Sequence, residues 1–303
     1  MKKTLLLGTL LSVPFVAHAE WFEDNTPLTQ AHQHLLEGNL TSMFDSMVEV
    51  WQLDKSDDIS NHLNGLLGQA LTADCGRGLD SKQFPDWINA VTLRRVNIQS
   101  PGRDAYQVLI EASAGKPVSA IRLTQWVDQS ISSDSSFKAI KPSEAIDYSP
   151  TTQNAGSNTH HYVKRYNLNN ELSVGLYRLD ITAKDQESWS TWVILGNQKA
   201  KRSVRWASKD HWKVEKNALL NKYCPLPKLG VTVYDYVDSD YKPIWKHFYD
   251  SDFPTSLPVD SLPPNNYVMA VSITEQRWQG PLILEKSQVI SKSYSVANKE
   301  QKN

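Results

Sequence analysis

Metal binding and acid–base catalysis turn first to histidine, and this chain has eight. His32 and His34 stand two apart. Residues at that spacing do not share a helix face, so the pair makes a poor chelate on the helix expected there. His160 and His161 are adjacent, at the end of a polar stretch, with no Cys, Asp or Glu at ligand spacing. Structural zinc wants four ligands, and this pair reads as solvated. Acidic side chains cluster in "DKSDD" (54–58) and "DYVDSDY" (235–241). The second has the outline of a calcium loop but lacks the glycine at its sixth position and the closing glutamate, so it reads as a turn between strands. No nucleophile elbow, phosphate-cradling glycine loop, dinucleotide fingerprint or H-E-x-x-H occurs in the chain. Cys75, flanked by glycines in "CGRG", would suit an exposed nucleophile, but Cys224 is its only possible mate. In an exported chain an even count usually pairs, so the expectation is one disulfide, Cys75 to Cys224. Two separate buried thiols are the alternative. No catalytic residue, metal or cofactor is assigned.

Ten tryptophans and twelve tyrosines suggest binding instead. Trp126, Trp192 and Trp206 fall on or beside expected strands and are the candidate ligand-binding residues. Trp192 has outward parity relative to Trp189, where a ring is able to stack on a sugar or anchor a protein partner. Alternatively it fills the seam with the helices or with a second module. The basic run "KAKRSVR" (199–205) reads as a solvated edge or linker, with an anionic-ligand site as the alternative. Lys plus Arg total 32 against 33 for Asp plus Glu, with no long single-sign block. Phosphate-backbone binding needs clustered cations, so nucleic acid is excluded as a partner.

These residues must be positioned by an exported chain. Lys2 and Lys3 precede a short apolar run that ends in Ala17-His18-Ala19, the pattern of a signal peptide cleaved between Ala19 and Glu20. No second long hydrophobic stretch follows, so no membrane span is expected, and the mature chain is placed in the periplasm or outside the cell. Three amphipathic helices follow, over "NTPLTQAHQHLLEG", "LTSMFDSMVEVWQL" and "DISNHLNGLLGQAL". Their apolar residues recur at three- and four-residue steps, forming a small cap over 20–90. From Val91 the period becomes two, with β-branched and aromatic runs between Gly/Pro turns. A polar stretch from Gln129 to His161 reads as a long exposed loop.

"YRLDITAKDQESWSTWVIL" (177–195) and "YVMAVSITEQRWQGPLIL" (267–284) are near repeats. Pairing sets Tyr177 with Tyr267, Ile181 with Val271, Gln186 with Gln276, Trp189 with Trp278 and Leu195 with Leu284. The fold expected is mainly β with an N-terminal α-helical region: two tandem immunoglobulin-like β-sandwich modules, 91–207 and 229–296, after the cap. A linker with one helical turn spans 208–228, and 297–303 is a frayed tail.

The leader, "TPLTQAHQHLLEGNLTSMF", "GLYRLDITAKDQ" and "RWQGPLIL" together resemble a family of exported proteins of unknown function from marine gamma-proteobacteria. The resemblance covers the mature chain and supplies no catalytic residues. It implies a periplasmic accessory protein and associates it with envelope-sensing two-component signalling. The function expected is therefore a non-enzymatic protein that recognises another envelope protein through its β-sandwich surfaces. A glycan-binding module for cell-wall or extracellular polysaccharide is the alternative.

Overall fold

The computed structural model describes residues 25–141, 159–257 and 262–296. The leader with its Ala19–Glu20 bond, part of the polar stretch and the tail at 297–303 lie outside the described residues. Helix α1 (Pro27–Leu36) begins where Thr26 accepts from the Thr29 amide and the Thr29 hydroxyl accepts from the Thr26 amide. Pro27 costs nothing there because the first-turn amides have no intrahelical partner. Asn39 caps α2 (Leu40–Leu53) and Ser56 caps α3 (Asp57–Asp74), whose first turn carries Asp57 and Asp58 against the positive end of the helix dipole. Met43, Met47, Trp51, Leu63 and Leu67 form the shared stripe, each almost wholly buried. Each such burial stabilises by roughly 1.5–3 kcal/mol. The stripe closes on Leu176 and Ile194 of two strands, so the helices cover the outer face of a sheet as the amphipathic pattern required.

That sheet has four strands in the order β4 (Gln129–Ser130), β3 (Val118–Gln125), β7 (Gly175–Ala183) and β8 (Ser188–Leu195). Its inner face packs on a larger, eight-stranded sheet. The order there is β12 (Asp240–Tyr249), β11 (Lys228–Val237), β13 (Asn265–Gln279), β14 (Leu282–Val296), β1 (Ile88–Ser100), β2 (Arg103–Ala114), β6 (His160–Leu168) and β5 (Ser135–Ile140). All its pairs are antiparallel except β1 with β14. A two-stranded ribbon, β9 (Arg202–Trp206) and β10 (Trp212–Lys216), completes the covering layer.

Alternation along the strands separates two cores on one face of the large sheet. Val91, Leu93, Val108 and Ile110 meet Ile121, Leu123, Tyr177, Leu179, Ile181 and Val193 of the small sheet. Further along, Leu229, Val231, Met269, Val271 and Ile290 meet Val204 and Trp212 of the ribbon. Two tyrosines open the equivalent strands alike. The Tyr177 hydroxyl donates to the Ser173 carbonyl at 2.8 Å, and the Tyr267 hydroxyl to the Pro263 carbonyl at 2.7 Å.

The mainly β fold with an N-terminal helical region agrees with the sequence; the division into two tandem modules does not. Strands from both expected modules share one sheet, joined by the parallel pairing of β1 with β14. A period of two reveals which face a residue takes but not which strand lies beside it. β9, expected in the first module, covers the second core, and the expected linker contains β10. The polar stretch holds β5, an edge strand on β6. The repeat is real over Tyr177–Ile181 and Tyr267–Val271, whose alternate residues are buried, but it breaks at the turns. Trp189 follows its turn in β8, whereas Trp278 precedes one in β13, so the two are not equivalent.

The disulfide joins Cys75, just after α3, to Cys224, with Cα atoms 5.2 Å apart, within ordinary bonding geometry. The backbone after α3 lies directly on the β13–β14 turn: the Trp278 amide donates to the Cys75 carbonyl and the Gly280 amide to the Gly76 carbonyl. Gly76 (φ +90°) and Gly280 (φ +54°) permit this approach, since a Cβ on either would run into a carbonyl, that of Trp278 or of Asp80.

Candidate functional site

Three strands in register place charged side chains in a row across the large sheet. Glu275 of β13 lies opposite Lys286 of β14, which lies beside Arg95 of β1; one row along come Arg277, Leu284 and Leu93. Residues in register share a face. The charged row therefore lies on the face that carries both cores, where the cover changes from the four-stranded sheet to the ribbon. Here a cleft of about 170 Å³ opens. Its walls are the C-terminal part of α3 (Gly68, Leu71, Thr72), the chain from Leu195 to Lys201, and the connector around Cys224.

The lining carries five basic residues, Arg95, Lys199, Lys201, Arg277 and Lys286, and two acidic ones, Glu275 and Glu285, the side chain of Glu285 lying with Arg94 on the opposite face of the sheet. Both carboxylates are engaged. Glu285 takes the Arg94 Nε at 2.6 Å, and one oxygen of Glu275 accepts the backbone amides of Lys201 and Arg202 at 2.5 and 2.8 Å. Burial raises the Glu275 pKa, an effect those amides oppose. Arg277 donates to the carbonyls of Ile194 at 2.8 Å and Trp278 at 3.2 Å, and Arg95 to that of Gly196 at 2.8 Å. Neither guanidinium has a salt bridge among the described residues. Loss of hydration, and then the charge of Arg95, lowers the Arg277 pKa to about 9, which leaves it a cation at neutral pH. Burial also lowers Arg95 and Lys286; Glu171, 3.7 Å from Lys286, pulls both back.

The candidate tryptophans do not converge. Trp126 and Trp192 meet edge to face, ring centroids 5.3 Å apart, in the seam between the small sheet and the helices. Trp192 thus fills that seam, the duller of the two sequence readings. Trp206 packs on Trp212 beside the second core, with the Lys292 ammonium 3.8 Å from its ring centre. His160 and His161 begin β6 rather than end a loop, and adjacent strand residues point to opposite faces. The sequence missed a different pair: Nε2 of His32 on α1 lies 2.7 Å from Nε2 of His62 on α3. The basic run contributes Lys199 and Lys201 to the cleft, the part of its alternative reading that the geometry favours.

A second feature lies at the edge of the large sheet. The "DYVDSDY" segment is the β11–β12 hairpin turn, with Asp238 and Ser239 both at positive φ, as a two-residue connection demands. Tyr236 and Tyr241 pair across it, ring centroids 5.0 Å apart, and remain 60% and 55% exposed; Ile244 is 44% exposed. Among the described residues β12 has no strand on its outer side. Along it, Trp245 stacks on His247, and His247 contacts Tyr249.

No described helix is long and apolar enough to cross a membrane. The family described as "Protein of unknown function (DUF2861)" matches residues 21–295. No curated protein matches the chain.

Proposed function

From membership of the DUF2861 family, which the match over residues 21–295 establishes, we propose that the chain is an exported, non-enzymatic binding protein that recognises another envelope protein by strand addition at β12. The open edge carries the reading. An edge strand that carries exposed Tyr241 and Ile244 and has no strand on its outer side among the described residues offers backbone groups to an extended segment of a partner. The Cys75–Cys224 bridge supports an oxidising compartment, in keeping with a periplasmic location and with the exported marine gamma-proteobacterial group that the sequence resembles. The two tyrosine-to-carbonyl bonds support an immunoglobulin-like origin for each half, the halves being fused through one sheet.

The test is a photoreactive side chain at Tyr241, activated in envelope extract. The expected result is one cross-linked protein, abolished by Ile244→Lys, with no product from a probe at Lys138 on the opposite edge strand. Equal products from both probes would refute strand addition at β12. The ring ladder Trp245–His247–Tyr249 supports a second reading, glycan binding. Quenching of tryptophan fluorescence by cell-wall oligosaccharides, lost in Trp245→Ala, would favour it.

A further inference from the structure

We propose that the cleft between the two cores is a binding site for an oxyanionic group, a carboxylate or a phosphate, held by Arg95, Arg277 and Lys286 with Lys199 and Lys201 at its mouth. This site is separate from the β12 edge and stands whether or not that edge binds protein.

The charge distribution is the first argument. A cation removed from water costs several kcal/mol unless an anion meets it, and buried charges are therefore normally paired. Arg94, one residue from Arg95 and on the other face of the sheet, follows that rule through Glu285. Arg95 and Arg277, both half-buried, do not: among the described residues neither has a salt bridge, their hydrogen bonds go to backbone carbonyls, Glu171 acts on Arg95 only at longer range, and Glu275 is engaged by backbone amides. Those contacts use one N–H direction of Arg95 and two of Arg277, whereas a guanidinium has five N–H donors in a planar fork. Unused donors beside a cleft are what a carboxylate or phosphate oxygen accepts from, in two-pronged fashion.

The second argument is architectural. Arg95, Arg277 and Lys286 sit on three adjacent strands of one sheet, and their register fixes their spacing. A site on strands is held more accurately than one on loops. Leu93 and Leu284 flank the row on one side, and Ile273 with the polar Gln288 and Asn97 flanks it on the other, so the charged row stands where the apolar face of the first core gives way. Three cations gathered there are costly for stability alone, and a ligand would offset that cost. Size sets the class. At about 170 Å³ the cleft is smaller than the roughly 300–1,000 Å³ of drug-sized ligand pockets. It suits one anionic head group, with any remainder of the ligand projecting past Lys199 into solvent.

Isothermal titration at constant ionic strength tests this, with inorganic phosphate and N-acetylglycine as probes and chloride as the control. The expected result is saturable binding of at least one probe, weakened tenfold or more in Arg95→Gln/Lys286→Met, with unchanged circular dichroism. Phosphate alone binding assigns a phosphoryl group and N-acetylglycine alone a carboxylate. Should the double variant not fold, Lys201→Met at the rim replaces it, with an expected loss of severalfold. Absence of saturable binding by both probes, or binding that the variants leave unchanged, overturns the assignment.

Discussion

Removing the Cys75–Cys224 bridge should lower stability by about 5 kcal/mol. The two cysteines are 149 positions apart, so the bond closes a loop of about 150 residues. For a loop of that size the chain-entropy relation gives about 17 cal/mol/K, or about 5 kcal/mol at 25 °C. The loop contains all of the first core except Leu282 and Leu284, and the bridge ties the end of α3 to the connector that enters β11. The native contacts around the sulfurs survive its loss: the Trp278 and Gly280 amides still reach the Cys75 and Gly76 carbonyls, and the Asn221 side chain still reaches the Leu71 carbonyl. The effect should therefore act on the unfolded chain. At roughly 2 °C per kcal/mol for a chain of this size, Cys75→Ser/Cys224→Ser should melt about 10 °C below the oxidised protein. Each single variant should match the double one, and dithiothreitol should bring the wild type to the same value. Melting followed by circular dichroism, with and without reductant, measures all four. A double variant within about 3 °C of the oxidised wild type would refute the reasoning.

Three further outcomes are expected. Gly76→Ala should destabilise by more than about 2 kcal/mol in urea unfolding, because the new Cβ meets the Trp278 carbonyl and φ is +90°. Tyr177→Phe and Tyr267→Phe should each cost about 1 kcal/mol, the worth of one hydroxyl-to-carbonyl bond. Their effects should add, since the bonds lie on strands of different sheets; strong coupling in the double variant would contradict that separation. Burial, and then the charge of His62, lowers the His32 pKa from 6.5. The unfolded chain thus takes up the proton first, and stability should fall as pH drops below 6.5. His32→Gln should flatten that acid limb, and an unchanged slope would remove the pair from the account.

Local features were legible because local physics fixes them. Thr26, Pro27 and Gly38 bounded α1, the three- and four-residue stripe located α2 and α3, and the lone pair of cysteines foretold the bridge. The tyrosine-led halves of the repeated phrase identified two related strands. Partnership was not legible. Nothing in "VTLRRVNIQS" says that it lies parallel to "LILEKSQVIS", about 190 residues later. The cleft was hidden for the same reason: Arg95, Arg277 and Lys286 are unremarkable singly, and only the register of β1, β13 and β14 assembles them. One trace was present, since on the strand faces that carry Leu93 and Leu284 the alternation turns from apolar to charged at Arg95 and Lys286, with Asn97 and Gln288 next. The outward parity of Trp192 on its own sheet points it towards the helices that cover that sheet.

The parallel contact of β1 with β14 has a consequence for biogenesis. β14, the last of the described strands in chain order, lies in the middle of the large sheet, between β13 and β1. Until it arrives, β1 presents a bare flank, and neither the charged row nor the joint between the two cores exists. The sheet cannot close until residues 282–296 have docked, a long-range pairing that slows folding and leaves an unpaired strand edge exposed in the meantime.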